Sequence, residues 1–149
     1  MESKNTPASL GRLLNFAAGA TTRMCQARLA EHDLSLAQWV ILSALWRRDG
    51  QSVSDLARWS GNNAPAASRI IDRMAERGLI TRSADAEDRR SVRVWLTDAG
   101  RAHEGLRGFY EEVNAVLTAG LSAAETQVLF DLLERVLENA RRAEEPGSE

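Results

Sequence analysis

A single cysteine, Cys25, stands among 149 residues. No intrachain disulfide can staple this fold, which fits a reducing cytoplasm. No run of about 18 or more uncharged apolar residues occurs, so there is no candidate transmembrane helix. The opening Met1-Glu-Ser-Lys-Asn-Thr-Pro7 lacks the charged-then-apolar order of a secretion signal, and a cytoplasmic location is expected. No Gly-rich phosphate loop, G-x-S-x-G elbow or carboxylate pair stands out, so an enzyme has no constellation to rest on. His32 and His103 lie far apart, without Cys or Glu partners at ligand spacing. Neither a metal nor a cofactor is expected.

Basic excess is also missing, since the net charge is −2. Its distribution is uneven. Residues 50–97 hold eight arginines against six acids, whereas residues 98–149 hold five against eleven. A modestly positive middle and an acidic C-terminal third allow one basic face on a chain without a basic pI.

Length and a hydrophobic content of 44% suit one domain with a folded core. Apolar spacing of three and four predicts a first helix over 8–31. Ser35 is placed to cap a second over 36–48, apolar on more than one face and so expected to be buried. Ser52 or Ser54 caps a short helix over 55–60, and Gly61-Asn62-Asn63 makes a turn. Asn62 or Asn63 caps the next helix, over 63–77, with Pro65 in its first turn and Gly78 at its end. Residues 80–83 and 90–96 pair as a β-hairpin. Thr97 caps a long helix to about Gly120, and Ser122 caps the last. The tail beyond Arg142 is acidic and expected to fray.

The hairpin carries the most information. Val92, Val94 and Leu96 alternate with Arg93 and Trp95, the period of a half-buried strand, after the charged tip Asp85-Ala-Glu-Asp-Arg-Arg90. Arg89, Arg90 and Arg93 put guanidiniums at or beside that tip, within reach of phosphates or a narrow minor groove. Asp88 and Arg90, two apart, are placed to pair and hold the tip in shape. Upstream stand two short helices joined by a tight turn, and in such a pair the second presents its N-terminal residues to base edges. Asn62, Asn63, Ser68, Arg69 and Arg73 are the exposed candidates there. Ala64, Pro65 and Ala66 offer small apolar surface suited to thymine methyls. Helix, turn, helix and arginine-tipped hairpin together make a mainly α winged helix-turn-helix, with double-stranded DNA as the partner. Taken singly, each feature has a plainer reading: a solvated amphipathic helix, or a hairpin tip of mixed charge.

Other residues carry less. Cys25 on a helix reads as a small buried hydrophobe rather than a redox thiol. Phe16, Trp39, Trp46 and Phe109 could line a pocket for a small aromatic or amphipathic effector, or could be plain core. Leu10, Leu13 and Leu14 near one terminus, with Val128, Leu129, Leu132, Val136 and Leu137 near the other, form stripes that an isologous homodimer interface would cover.

Four stretches resemble the MarR family of transcriptional regulators. They are Leu34-Ser-Leu-Ala-Gln-Trp-Val-Ile-Leu42, Ser52-Val-Ser-Asp-Leu-Ala57, Ser68-Arg-Ile-Ile-Asp-Arg-Met-Ala-Glu-Arg-Gly-Leu-Ile80 and Asp88-Arg-Arg-Ser-Val-Arg-Val-Trp-Leu-Thr-Asp-Ala-Gly100. The last is similar to the family's D-x-R wing followed by a strand ending in Leu-Thr. The resemblance covers about residues 8–143 of the single domain 1–149. It implies a six-helix protomer, with a DNA-binding lobe over 36–97 and dimerisation helices over 8–35 and 98–143. It also implies a homodimer on pseudo-palindromic DNA. By position, Asn63, Ser68 and Arg69 match recognition contacts and Arg90 matches the wing arginine. The sequence departs from the family where Ala64 and Pro65 replace a frequent polar residue. Cys25 also lies well past the cysteine of the peroxide-sensing branch.

The expectation is a ligand-responsive regulator, usually a repressor in such families, and no membrane partner. The competing class is a winged-helix module that uses its wing on another protein.

Overall fold

The computed structural model describes residues 9–144. Their elements run α1 (Leu10–Ala30), α2 (Leu36–Arg47), β1 (Gln51–Ser52), α3 (Val53–Ser60), α4 (Ala64–Glu76), β2 (Ile80–Ala84) and β3 (Val92–Leu96). After these come α5 (Asp98–Ala102), a 3-10 turn (Glu104–Gly108), α6 (Phe109–Leu117) and α7 (Ala123–Glu144). The tail beyond Glu144 lies outside the described residues.

Side-chain caps explain where the helices start. Ser35 Oγ accepts the Gln38 amide while Gln38 Oε1 accepts the Ser35 amide, a reciprocal box that satisfies two orphan donors of α2. Ser52, rather than Ser54, caps α3 by accepting from Asp55 N, which starts that helix at Val53. Asn63 caps α4 through Ala66 N at 2.9 Å, and Thr97 caps α5 through Gly100 N. Ser122 and Glu125 make a second reciprocal box before α7. Accepting from Ser122 N–H and then its hydroxyl holds the Glu125 carboxyl below its ordinary range.

Two compact units divide the chain, Met1–Arg107 and Gly108–Glu149. In the first, α2 is the central element, with Trp39, Ile41, Leu42, Ala44, Leu45 and Trp46 all buried. Its wide apolar surface meets α1, α3, α4 and β3. Leu29, Leu56, Ile71, Met74, Ile80 and Val94 close this core with almost no exposure. Each such side chain contributes about 1.5–3 kcal/mol relative to an exposed one. In the second unit, Phe109 and Val113 are buried on α6, whereas α7 buries none of its residues.

The sheet is three-stranded and antiparallel, in the order β1-β3-β2. Ile80 pairs with Leu96 at the base of the hairpin and Ala84 with Val92 near its tip. Gln51 and Ser52 pair with Val94 and Arg93 from the other side. A strand of two residues shows no alternation, so β1 is invisible to periodicity.

The structure corrects the extents of two elements expected from the sequence. The helix expected from Thr97 to Gly120 is three pieces. Gly105 and Gly108, poor helix formers, sit at the 3-10 interruption. Arg107 there turns its guanidinium onto the Trp46 carbonyl at 2.6 Å and onto Glu104. The described residues hold seven α-helices, one of them a five-residue piece, close to the six expected. The return strand starts at Val92 rather than at 90, because Ser91 N–H donates to Asp88 O and Asp85 N–H to Ser91 O, closing the tip as a turn.

Candidate nucleic-acid interface

Helix α4 turns Ala67, Ile71 and Met74 inward. Arg69 and Arg73 are thereby left exposed, one helical turn apart, with no side-chain partner among the described residues. Asn63 spends its carboxamide oxygen on the cap, and Asn62 donates to Ser60 Oγ at 3.1 Å, so these two shape the turn that aims the helix. Ser68 is half-buried.

The wing is fastened at its root by Asp49 and Gly50. Asp49 Oδ1 accepts from the amides of Gly50 and Leu96, each at 2.9 Å, and Oδ2 accepts from Arg101 at 3.0 Å. Gly50 has φ +69°, and the Trp95 ring lies directly over it. Trp95 in turn donates its indole N–H to Ser83 Oγ across the hairpin. Gln51, buried, donates to the carbonyls of Ala44 and Arg48 and so ties β1 to the end of α2.

At the tip the pairing differs from the sequence expectation. Asp88 does not reach the Arg90 guanidinium; its Oδ1 accepts the Arg90 main-chain amide at 3.0 Å. The carboxylate–guanidinium pair is Asp85 with Arg93, at 2.6 Å, and Arg93 also donates to Gly50 O at 3.1 Å. Accepting from the Glu87 amide and then from Arg93 holds the Asp85 carboxyl below its ordinary range. Arg93, grouped with the DNA-reaching arginines from the sequence, has its guanidinium committed within the wing. Arg89 and Arg90 remain exposed, with guanidiniums unpartnered among the described residues.

Two arginines absent from the sequence candidates brace α4. Arg77 at its C-cap donates to Gln38 Oε1 at 2.8 Å and to Asp33 O at 2.7 Å. Arg82 on β2 donates to Ser68 O and pairs with Asp72. Both read as ordinary surface charges in sequence, because their partners lie 10 to 44 residues away.

The remaining candidates fall in different settings. Trp39 and Trp46 are buried, their indoles donating to Leu106 O at 2.9 Å and Gly100 O at 3.0 Å. Phe16 is exposed on α1 beneath the Arg12 guanidinium, and Phe109 is buried in the second unit. Cys25 is buried, which raises its thiol above the ordinary range, although Arg28 pulls the other way. That is the environment of an unreactive thiol.

A helix-turn-helix with free guanidiniums on its second helix, beside an arginine-tipped wing, matches the MarR family model over residues 34–92. YfiV of Bacillus subtilis strain 168, an uncharacterized HTH-type transcriptional regulator, is 34% identical over 116 residues, 74% of this chain and 71% of its own. The chain belongs to the MarR family. This MarR-family protein is also similar to BpsR of Bordetella bronchiseptica, whose DNA binding is regulated by 6-hydroxynicotinic acid. That likeness has 30% identity, covers 85% of this chain and 97% of the other, and has a TM-score of 0.75. The fold also matches Staphylococcus aureus MepR in its DNA complex, at 22% identity and TM-score 0.82, over 89% of this chain and 98% of that one. A MarR protein is a DNA-binding transcriptional regulator, and this class, not an enzyme, is the one the relatives share.

Proposed function

We propose that the protein is a homodimeric, ligand-responsive repressor that binds a pseudo-palindromic operator in the cytoplasm. The observation that carries this reading is the set of unpartnered, exposed guanidiniums at Arg69 and Arg73 on α4 and at Arg89 and Arg90 on the wing. Arginine on the second helix suits guanine edges, and arginine at the tip suits phosphates or the minor groove. Asn63 and Ser68, at the start of the same helix, are the proposed polar contacts beside them.

Dimerisation is supported by apolar surface that a monomer leaves in water. Leu13 is 61% exposed on α1, and on α7 Val128, Leu132 and Leu137 are about half exposed. Leu10 and Leu129 are exposed beside them, and Leu14 and Val136 are half-buried. Two-fold pairing would cover such stripes and set two recognition helices roughly one turn of DNA apart. For the effector we propose an aromatic acid, the chemical class of the ligand that regulates BpsR. Among the described residues no helix is long and apolar enough to cross a membrane.

Footprinting on the DNA flanking the gene, combined with sedimentation, tests the proposal. The expected result is a protected palindrome of about 16–20 base pairs and a mass twice 16.4 kDa. Protection should be released by an aromatic acid that also quenches Trp39. A monomer at micromolar concentration, or binding to all sequences alike, would overturn it.

A further inference from the structure

Helix α4 carries one carboxylate on the stretch that bears its free arginines, at Asp72, between Arg69 and Arg73. On a surface meant for a polyanion this charge is unfavourable in isolation, since each phosphate it approaches repels it. Its partner explains its place. The Arg82 guanidinium lies 2.5 Å from Asp72 Oδ1 and donates to the Ser68 carbonyl at 3.3 Å. Ser68 and Asp72 are four apart, hence neighbours on one face of the helix, while Arg69 and Arg73 lie about 100° further round.

Arg82 sits opposite Val94 in the hairpin, and Val94 is fully buried. Cross-strand partners share a face, so the Arg82 stem leaves the sheet on the side of the core and of α4. The base of the hairpin is fixed to the end of α4 by Thr97 Oγ1 on Gly78 O and by Leu79 N–H on Met74 O. Those bonds act at the hinge alone. Arg82 joins strand to helix away from it, where an angular error between the two would otherwise grow with distance.

We propose that the Asp72–Arg82 pair is a positioning strut that fixes the recognition helix relative to the wing, so that both reach DNA in one register. The proposal rests on the DNA-binding reading above. It has a consequence opposite in sign to simple electrostatics. Removing the negative charge of Asp72 should weaken binding to a specific site, whereas charge alone would strengthen it.

The test uses the full-length protein and a duplex that the wild type has selected from a random 30-base-pair pool. Asp72→Ala, Arg82→Ala and the double variant are compared on that duplex and on mixed-sequence DNA, with thermal melting as the control for folding. Either single change should weaken the selected duplex roughly three- to tenfold, and the double should lose little more than either one, as expected for contacting residues. Asp72→Ala should hold mixed-sequence DNA as tightly as wild type or more tightly, so that discrimination falls. Arg82→Lys, which keeps the charge but not the forked donor, should recover only part of the loss. If Asp72→Ala binds the selected duplex as well as wild type, the strut is overturned, and a loss confined to Arg82→Ala would mark a phosphate contact instead. A wild-type protein that selects no sequence would overturn the specific-operator reading and the strut with it, an outcome distinct from the others.

Discussion

The Trp95 indole covers the α-carbon of Gly50, a residue whose φ of +69° few side chains tolerate. A methyl group at position 50 would meet both constraints, an unfavourable backbone angle and a ring already in its place. Gly50→Ala should therefore cost about 2–4 kcal/mol of stability in urea denaturation. Adding Trp95→Ala should recover the part due to crowding while leaving the backbone part. A single variant as stable as wild type would show that the wing root is loosely built.

Asp85 and Arg93 set the acid limit of the wing. The folded Asp85 carboxyl lies below its ordinary range, so the pair stabilises the wing at any pH above that range and fades as pH falls through the depressed value. Arg93 is shifted upward by its hydrogen bond to Asp85, and its contribution would fade only in strong alkali. Trp95 fluorescence should stay flat from about pH 8 to pH 5 and change only under more acid conditions. In Asp85→Asn the acid step should vanish. A step near neutrality in the wild type would contradict this assignment.

The wing arginines should separate by behaviour. Arg90 is free, so Arg90→Ala should weaken binding to all DNA and lower the salt dependence of log Kobs by about one unit, with the fold unaffected. Arg93 is committed to Asp85 and Gly50. Arg93→Ala should instead open the hairpin to proteolysis, and its effect on DNA binding should follow from that disorder. Equal protease resistance in both variants would assign Arg93 to the DNA.

Arg69 tests base reading. Its replacement by Ala should cost about 1–3 kcal/mol on the preferred site and relax discrimination at one base pair in each half-site. Uniform weakening across sequences, measured by competition with single-base variants, would make Arg69 a phosphate contact.

Much of this was legible in the sequence, because the signals were local. Ser35, Asn63, Thr97 and Ser122 each announce a helix start within three residues, and the alternation of Val92, Val94 and Leu96 announces a strand. What escaped was settled by partners distant in sequence. The two-residue strand β1 exists because Gln51 finds Val94, and Arg82 becomes a brace because folding brings it to Asp72. The tip misled for a subtler reason. Asp88 and Arg90 have the spacing of a side-chain pair, but a carboxylate two residues before an amide can take that amide instead, as Asp88 does. The acid that meets Arg93 is Asp85, brought to it across eight residues by the reversal of the chain.

Every cation between residues 50 and 97 is an arginine, and the sequence has a single lysine, Lys4. Acetylation, which erases charge from lysine amines, has no target on α4 or the wing, and methylation of a guanidinium leaves its charge in place. A guanidinium also keeps its proton at any pH a folded protein withstands. The positive charges on this face are thus fixed in the molecule. Ionic strength can screen them, and a change in the spacing of the reading elements can misdirect them, but no acylating enzyme can turn them off.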